Sequence, residues 1–287
     1  MLCVIEGGST KADWLIAEGI KTPTKLTTIG FNPFFHSSDF VFDSLSNQKE
    51  LAKYKNADIE IHYFGAGCSS KERNAIIADG FKRFFEKAKV FVDHDLLASV
   101  YATCGDEPGI ACIIGTGSNS CFFDGNKIHE KNYGLGYILG DEGSGSYYGR
   151  KLVTSFLYEL MPENIYKSFL DTYHLDKDSI VRYVYNEPGA NLWLASFSKF
   201  LTTHRHDPFI QHMIRHGMRE FMELYVCHYK NYRNIPVHFV GSIAYVFREE
   251  LKEVAHTHFI NVGKIIKQPI DELMNYILLH SNAISGK

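Results

Sequence analysis

Ile110-Ala-Cys-Ile-Ile-Gly-Thr-Gly-Ser-Asn119, with Ser120-Cys-Phe-Phe123 after it, repeats the pattern of Val4-Ile-Glu-Gly-Gly-Ser-Thr10 and its continuation 13–17, about 108 residues upstream. In both places an apolar strand breaks into a loop of Gly, Ser and Thr and doubles back as a hairpin. Such a recurrence predicts an internal duplication of one α/β unit. The length agrees with it. Single hydrophobic cores stop growing at roughly 250 to 300 residues, so a chain of 287 residues is expected to form two lobes. The repeat sets the boundary, giving an N-terminal lobe over 1–106 and a C-terminal lobe over 107–269.

Working outward from the first hairpin, strands are expected at 2–5, 13–17 and 26–29, then a polar helix at 39–54 and an alternating strand at 59–64. Ser69 stands three residues before Glu72, a capping-box spacing, and Ile76, Ile77, Phe81, Phe84 and Phe85 follow at helical intervals. A short strand at 90–92 then leads through Asp93-His-Asp95 into a helix reaching Cys104. In the second lobe the stretch 149–232 reads as mainly helical, a strand at 237–240 meets Gly241-Ser242, and helices at 244–256 and 270–280 close the chain.

Composition narrows the function classes. With 45% apolar residues, 30 basic against 33 acidic side chains and a net charge of −3, the chain is an ordinary globular one without the basic footprint that binds nucleic acid. No apolar run approaches the roughly 18 residues needed to span a bilayer, and the N-terminus turns polar at Glu6, so neither a signal peptide nor a membrane anchor is expected. The six cysteines are scattered without CxxC pairing and sit mostly in apolar stretches. That usage predicts reduced thiols, a cytoplasmic location and no structural metal.

Three loops share one chemistry: Glu6-Gly-Gly-Ser-Thr-Lys11, Gly115-Thr-Gly-Ser-Asn119 and Val240-Gly-Ser242 each follow an apolar strand. Glycine at a strand end lets the backbone approach a ligand and turn N–H groups toward it, and hydroxyls add donors, as phosphate oxygens require. None has the GxxxxGK[ST] spacing, which excludes a Walker loop, and none opens a helix with GxGxxG, which disfavours a Rossmann site.

Together with Gly136-Tyr-Ile-Leu-Gly-Asp-Glu-Gly-Ser144, the stretches Glu6-Gly-Gly-Ser-Thr-Lys-Ala-Asp13, Gly115 to Asn119 and Val240-Gly-Ser-Ile243 resemble the phosphate-1, phosphate-2, sugar-loop and adenosine motifs of the N-acetylglucosamine kinases. That group lies within the BadF/BadG/BcrA/BcrD ATPase family of the sugar kinase, chaperone ATPase and actin superfamily. The resemblance implies an α/β fold of two ribonuclease-H-like lobes, a duplicated actin-like ATPase domain with ATP in the cleft, and a C-terminal helix over 270–287 packing back on the first lobe. It implies phosphate binding by Gly7, Gly8, Ser9, Thr10, Lys11, Gly115, Thr116, Gly117 and Ser118, and adenosine binding by Gly241 and Ser242. Asn32, Asn119, Gly140 and Asp141 match the sugar-contacting positions, and Asp95 the catalytic aspartate.

The residue chemistry suits these roles and also allows simpler ones. Phosphoryl transfer needs donors around phosphate, a divalent cation held through carboxylates, and a carboxylate to take the acceptor hydroxyl's proton. Asp95 is a candidate base or a helix N-cap. Asp141 and Glu142 are sugar-hydroxyl acceptors or acids favoured by a helix dipole, and Asn32 before Pro33 is also a turn signal. The family's phosphate-1 loop begins with Asp where this chain has Glu6, one methylene longer, expected to reach Mg²⁺ through water. The expected activity is ATP-dependent phosphorylation of N-acetylglucosamine or a related amino sugar at its primary hydroxyl. Its partners would be the sugar and ATP, with no nucleic acid and no membrane; a homodimer is compatible with the resemblance. The alternatives are a BadF-type activator ATPase and a catalytically weak nucleotide- and sugar-binding protein.

Overall fold

Leu2–Gly7 (β1) is the middle strand of a five-stranded sheet that also contains Lys11–Ala17 (β2), Thr24–Ile29 (β3), Glu60–Gly65 (β4) and Lys89–His94 (β5). The spatial order is β3-β2-β1-β4-β5, with β1 to β3 an antiparallel meander and β4 and β5 parallel to β1. The computed structural model describes residues 1–8, 11–19, 21–131 and 134–284. Ser9 and Thr10 therefore lie outside the described residues.

β1 is apolar at consecutive positions because both sheet faces are covered. Cys3, Ile5, Trp14 and Ile16 pack on one face with Phe81 of helix Lys71–Phe84 and with Phe85, its C-cap, and Trp14 stacks on Phe81 at 5.6 Å. Val4, Leu15 and Phe64 point the other way, onto Ala98 of helix Asp95–Thr103 and onto Leu273, Met274 and Ile277 of helix Ile270–Ile284. The last helix is stacked on its neighbour through Tyr101 and Tyr276, at 4.4 Å, and tied to β3 by the Lys25–Asp271 ion pair. The chain thus divides into one unit of Met1–Gly105 with Pro269–Lys287 and a second of Asp106–Gln268.

The second unit repeats the sheet. Gly109–Ile114 (β6), Ser118–Phe123 (β7) and Ile128–His129 (β8) form the meander, and Val237–Val240 (β9) and Val262–Ile266 (β10) run parallel to β6. The order β10-β9-β6-β7-β8 is that of the first sheet, strand for strand, which is the duplication expected from the two hairpins. Its core joins Ile110, Cys112 and Ile114 to Tyr148 and Leu152 of helix Gly145–Leu157 and to Phe221 and Phe239.

Several local expectations are corrected. The helix expected over 39–54 ends at Ser46: Gln48 is extended, and a separate 3₁₀ turn, Lys49–Tyr54, follows. The N-cap before Lys71 is Ser70, which accepts the Arg73 N–H, while Ser69 Oγ accepts from the Arg73 guanidinium. β8 and β10 were not expected. β8 is two residues long, and β10 contains Gly263 and an exposed Lys264, so neither has the apolar alternation of a recognisable strand. Among the described residues no helix is long and apolar enough to cross a membrane.

Candidate active site

In the first unit the carboxyl ends of β1, β4 and β5 are level, because Gly7 pairs with Gly65 and Gly65 with His94. In open α/β sheets ligands bind at such ends. Glu6 is the penultimate residue of β1 and pairs with Asp13 of β2 and Phe64 of β4, so those three side chains share a face. Burial, and then the charges of Asp13 and Asp95, push the Glu6 carboxyl up to about 7, against the opposing pull of Lys11. Lys11, expected to hold phosphate, donates to Asp13 at 2.8 Å and is largely exposed. Thr27 supplies a second donor to Asp13 at 3.0 Å.

Gly7 has a packing reason beyond any ligand. The Tyr63 phenol lies against it, and a methyl group at Gly7 would sit 2.2 Å from Tyr63 Oη. That hydroxyl donates to Phe31 O at 2.7 Å and accepts the Phe31 N–H at 3.2 Å. It thereby braces the Gly30-Phe-Asn-Pro33 turn beside the phosphate-1 loop. Asn32 is buried, and its Oδ1 accepts the Phe34 N–H at 3.0 Å. The turn role expected of Asn before Pro is therefore filled by its oxygen.

Asp95 is the first residue of helix Asp95–Thr103; the cap position is His94, whose side chain makes no capping bond. Asp95 is half-buried as a residue. Desolvation raises its proton affinity above that of an ordinary aspartate, opposed by the His94 charge and the N–H groups of Leu96 and Asp95 itself.

In the second unit the phosphate-2 loop is shorter than expected, since β7 already begins at Ser118 and Asn119 lies within the strand. The turn is closed by Gly115 N–H to Gly117 O at 2.9 Å, and the carbonyls of Gly115 and Thr116 accept from Gly145 and Ser146 at the start of helix Gly145–Leu157. The N–H groups of Thr116 and Gly117 have no such acceptor among the described residues. Both donors of Ser118 are spent on the neighbouring loop: its N–H goes to Asp141 Oδ1 at 3.2 Å and its hydroxyl to Glu142 O at 2.8 Å. Asn119 Oδ1 accepts the Ser120 N–H.

Asp141 follows buried Gly140 and adopts φ 61°, a left-handed conformation uncommon for a residue with a side chain. Burial pushes its carboxyl up to about 6; the Glu142 charge adds to this, while the Ser118 N–H and Arg150 oppose it. Arg150 also donates to the carbonyls of Tyr137 and Ile138. Among the described residues Asp141 Oδ2 accepts no hydrogen bond. Gly241, at φ 124°, donates its N–H to Ile266 O at 3.0 Å, and Ser242 is exposed at the start of the short helix Ser242–Val246. Behind it, buried His238 accepts the Lys264 N–H through Nδ1 at 2.9 Å, where the β9–β10 register shifts.

No family model matches the chain, and no curated protein matches it. Among solved structures, a candidate N-acetylglucosamine kinase from Porphyromonas gingivalis is 34% identical, with a TM-score of 0.92 over 99% of this chain and 100% of that one. The chain belongs to the N-acetylglucosamine kinase-like family. Another member of that description, from Chromobacterium violaceum, is 16% identical with a TM-score of 0.73, covering 96% of this chain and 98% of its own. A ROK family glucokinase from Streptomyces griseus, solved with glucose and AMPPNP, is 13% identical with a TM-score of 0.53, covering 98% and 99%. These two share the fold of this N-acetylglucosamine kinase-like chain.

Sequence reasoning gave no role to Asp13, Tyr63 or Tyr225. For Asp13 the signal was present: in a tight antiparallel hairpin, strand alternation puts a residue of β2 directly opposite Glu6. The two tyrosines reach the loops from elsewhere in the fold and carry no local motif.

Proposed function

We propose that the protein is an ATP-dependent sugar kinase that phosphorylates N-acetylglucosamine, or a close amino sugar, at its primary hydroxyl. The observation that carries this reading is Asp95: a carboxylate at a strand end, with its proton affinity raised by desolvation. Such a group suits a general base working near neutral pH. As the hydroxyl oxygen bonds to the γ-phosphorus and the bond to ADP breaks, Asp95 takes the hydroxyl proton. Membership of the N-acetylglucosamine kinase-like family supports the substrate class.

The remaining roles follow the chemistry of each group. Gly7, Gly8, Gly115, Thr116 and Gly117 line the two phosphate loops; the N–H groups of Thr116 and Gly117, which have no acceptor among the described residues, suit phosphate oxygens, and Lys11 offsets phosphate charge. Ser118 acts by holding Asp141. Asp141, Asn119, Asn32 and the Gly140 backbone bind sugar hydroxyls and the acylamino group, and Gly241 and Ser242 receive the adenosine. The charges of Asp13 and Asp95 raise the proton affinity of Glu6; among the described residues no three carboxylate, histidine or cysteine side chains are grouped to hold a metal ion by themselves, so a divalent cation here would take its remaining ligands from water and phosphate. Glu6 would hold Mg²⁺ through water; when bound, the cation neutralises charge on the phosphates.

The test is ATP-dependent phosphate transfer across a panel of amino sugars and hexoses. N-acetylglucosamine should outpace glucose. Equal rates, or none with either sugar, would remove the specificity claim.

A further inference from the structure

We infer that Tyr225 is a positioning residue for Asp141, holding the sugar-binding carboxylate in a conformation that the loop's own sequence does not favour. The inference rests on the proposed role of Asp141 in sugar binding. Its basis is the backbone: a left-handed aspartate persists where its surroundings over-determine it. Here the Asp141 N–H donates to Tyr225 Oη at 3.2 Å, and that hydroxyl donates onward to Glu142 Oε2 at 3.0 Å. The two acids of the loop are thus held by one oxygen, which accepts from the backbone of the first and donates to the side chain of the second.

Tyr225 is itself fixed. Helix Pro208–Phe221 continues into a π-helical turn, Met222–Val226, closed by Cys227 N–H to Met222 O at 2.8 Å. Single π-turns of this kind re-aim side chains, often at functional sites. The carbonyl of Tyr225 accepts the Ser120 hydroxyl at 2.6 Å, which ties the turn to β7 two residues after Ser118. The ring lies parallel on Phe221 at 4.9 Å and is almost fully buried. A phenol so placed has few rotamers available.

Asp141 is therefore held from two sides. Ser118 fixes its carboxylate oxygen Oδ1, and Tyr225 fixes its backbone, so that Oδ2 keeps one direction. A methyl group at Gly117 would lie 2.9 Å from Oδ2, so the side chain has little room on that side. Charge-assisted hydrogen bonds in a chain strengthen one another, and the Glu142 carboxylate makes Tyr225 Oη a better acceptor for the Asp141 N–H. Burial and that same carboxylate keep the phenol protonated at neutral pH.

Tyr225→Phe removes the hydroxyl and keeps the ring. The expected result is a KM for N-acetylglucosamine raised about tenfold or more, with the KM for ATP within about twofold of wild type. In an Asp141→Asn background the same substitution should add little, because the group it positions is altered. Glu142→Gln, which keeps an acceptor for the phenol, should fall between the two. Hydrogen exchange supplies the readout that needs no turnover: the segment 136–144 should exchange faster in Tyr225→Phe, with the rest of the chain unchanged. Equal losses for sugar and ATP, a full effect in the Asp141→Asn background, or unaltered exchange at 136–144 would each overturn the inference. A wild-type protein that binds no amino sugar would instead remove the sugar-kinase reading, and the exchange result would still decide whether Tyr225 holds Asp141.

Discussion

Glu6 and Asp13 are direct cross-strand partners on β1 and β2, two carboxylates on one face of the sheet, with Thr27 of β3 next in the same row. Like charges directly opposite one another weaken a strand pair. Asp13 is compensated by Lys11 and Thr27, whereas the Glu6 carboxyl makes no hydrogen bond among the described residues and is pushed up to about 7. A local arrangement that opposes folding while the rest of the sheet favours it is what the proposed role of Glu6 would require.

The Glu6 carboxyl gives a stability prediction for the metal-free protein. Its pKa in the folded state, about 7, lies above the ordinary 4.5, so its contribution to stability is present below pH 4.5 and is lost as pH rises through 7. Glu6→Gln removes that loss. In EDTA the variant should match wild type near pH 5 and exceed it at pH 8 by on the order of 1 to 2 kcal/mol. Activity should move the other way: Glu6→Asp keeps or improves turnover, while Glu6→Ala raises the Mg²⁺ requirement sharply. Chemical denaturation at the two pH values and Mg²⁺ titrations of kcat check both parts; identical Mg²⁺ curves for all proteins would make Glu6 purely structural.

His238 gives the opposite sign. Burial first, and the Lys264 charge second, lower its pKa to about 4, and its Nδ1 must stay unprotonated to accept the Lys264 N–H. The unfolded chain therefore takes the proton first. Stability from the neutral ring is whole above about pH 6.5 and drains away as pH falls toward 4. His238→Gln keeps an acceptor but does not titrate. The stability difference between wild type and variant should be flat above pH 6.5 and shift against wild type by on the order of 1 kcal/mol at pH 4.5. A constant difference across that range would mean that the ring is not held neutral.

How much of this could be read in the chain depends on how local the cause is. The strand, glycine loop and hairpin at 110–123 are set by consecutive residues, and the copy at 4–17 by the same pattern, so the duplicated sheet was legible. Asp95 at a strand-to-helix junction was legible for the same reason. The break after Ser46 was not, because the apolar stripe runs on through Leu51 and Tyr54 although the backbone at Gln48 turns extended. Ser118 was read as a phosphate ligand on its motif, yet its donors are taken by a loop 23 and 24 residues away. Tyr225 lies 84 residues from the N–H that it accepts, and only the π-turn, which has no sequence signature of its own, aims it there.

Asp95 carries the most decisive prediction. As general base it would accept the sugar hydroxyl's proton while the phosphoryl group passes through a loose transition state, a role worth typically about 10² to 10⁴ in rate. Asp95→Asn keeps the shape of the side chain and most of its hydrogen bonding, and removes the basic charge. Its folded-state cost is small, because the capping position belongs to His94 and the aspartate charge is disfavoured by burial. The expected outcome is a kcat lower by at least about 10², nearly unchanged ATP affinity, and a stability change below about 1 kcal/mol. If Asp95 serves only the first turn of its helix, the pattern inverts, with the loss of an N-terminal acid costing a few tenths of a kcal/mol and turnover staying near wild type. Single-turnover phosphate transfer, nucleotide binding and thermal unfolding on this one variant separate the two, and near-normal transfer would eliminate Asp95 as the base.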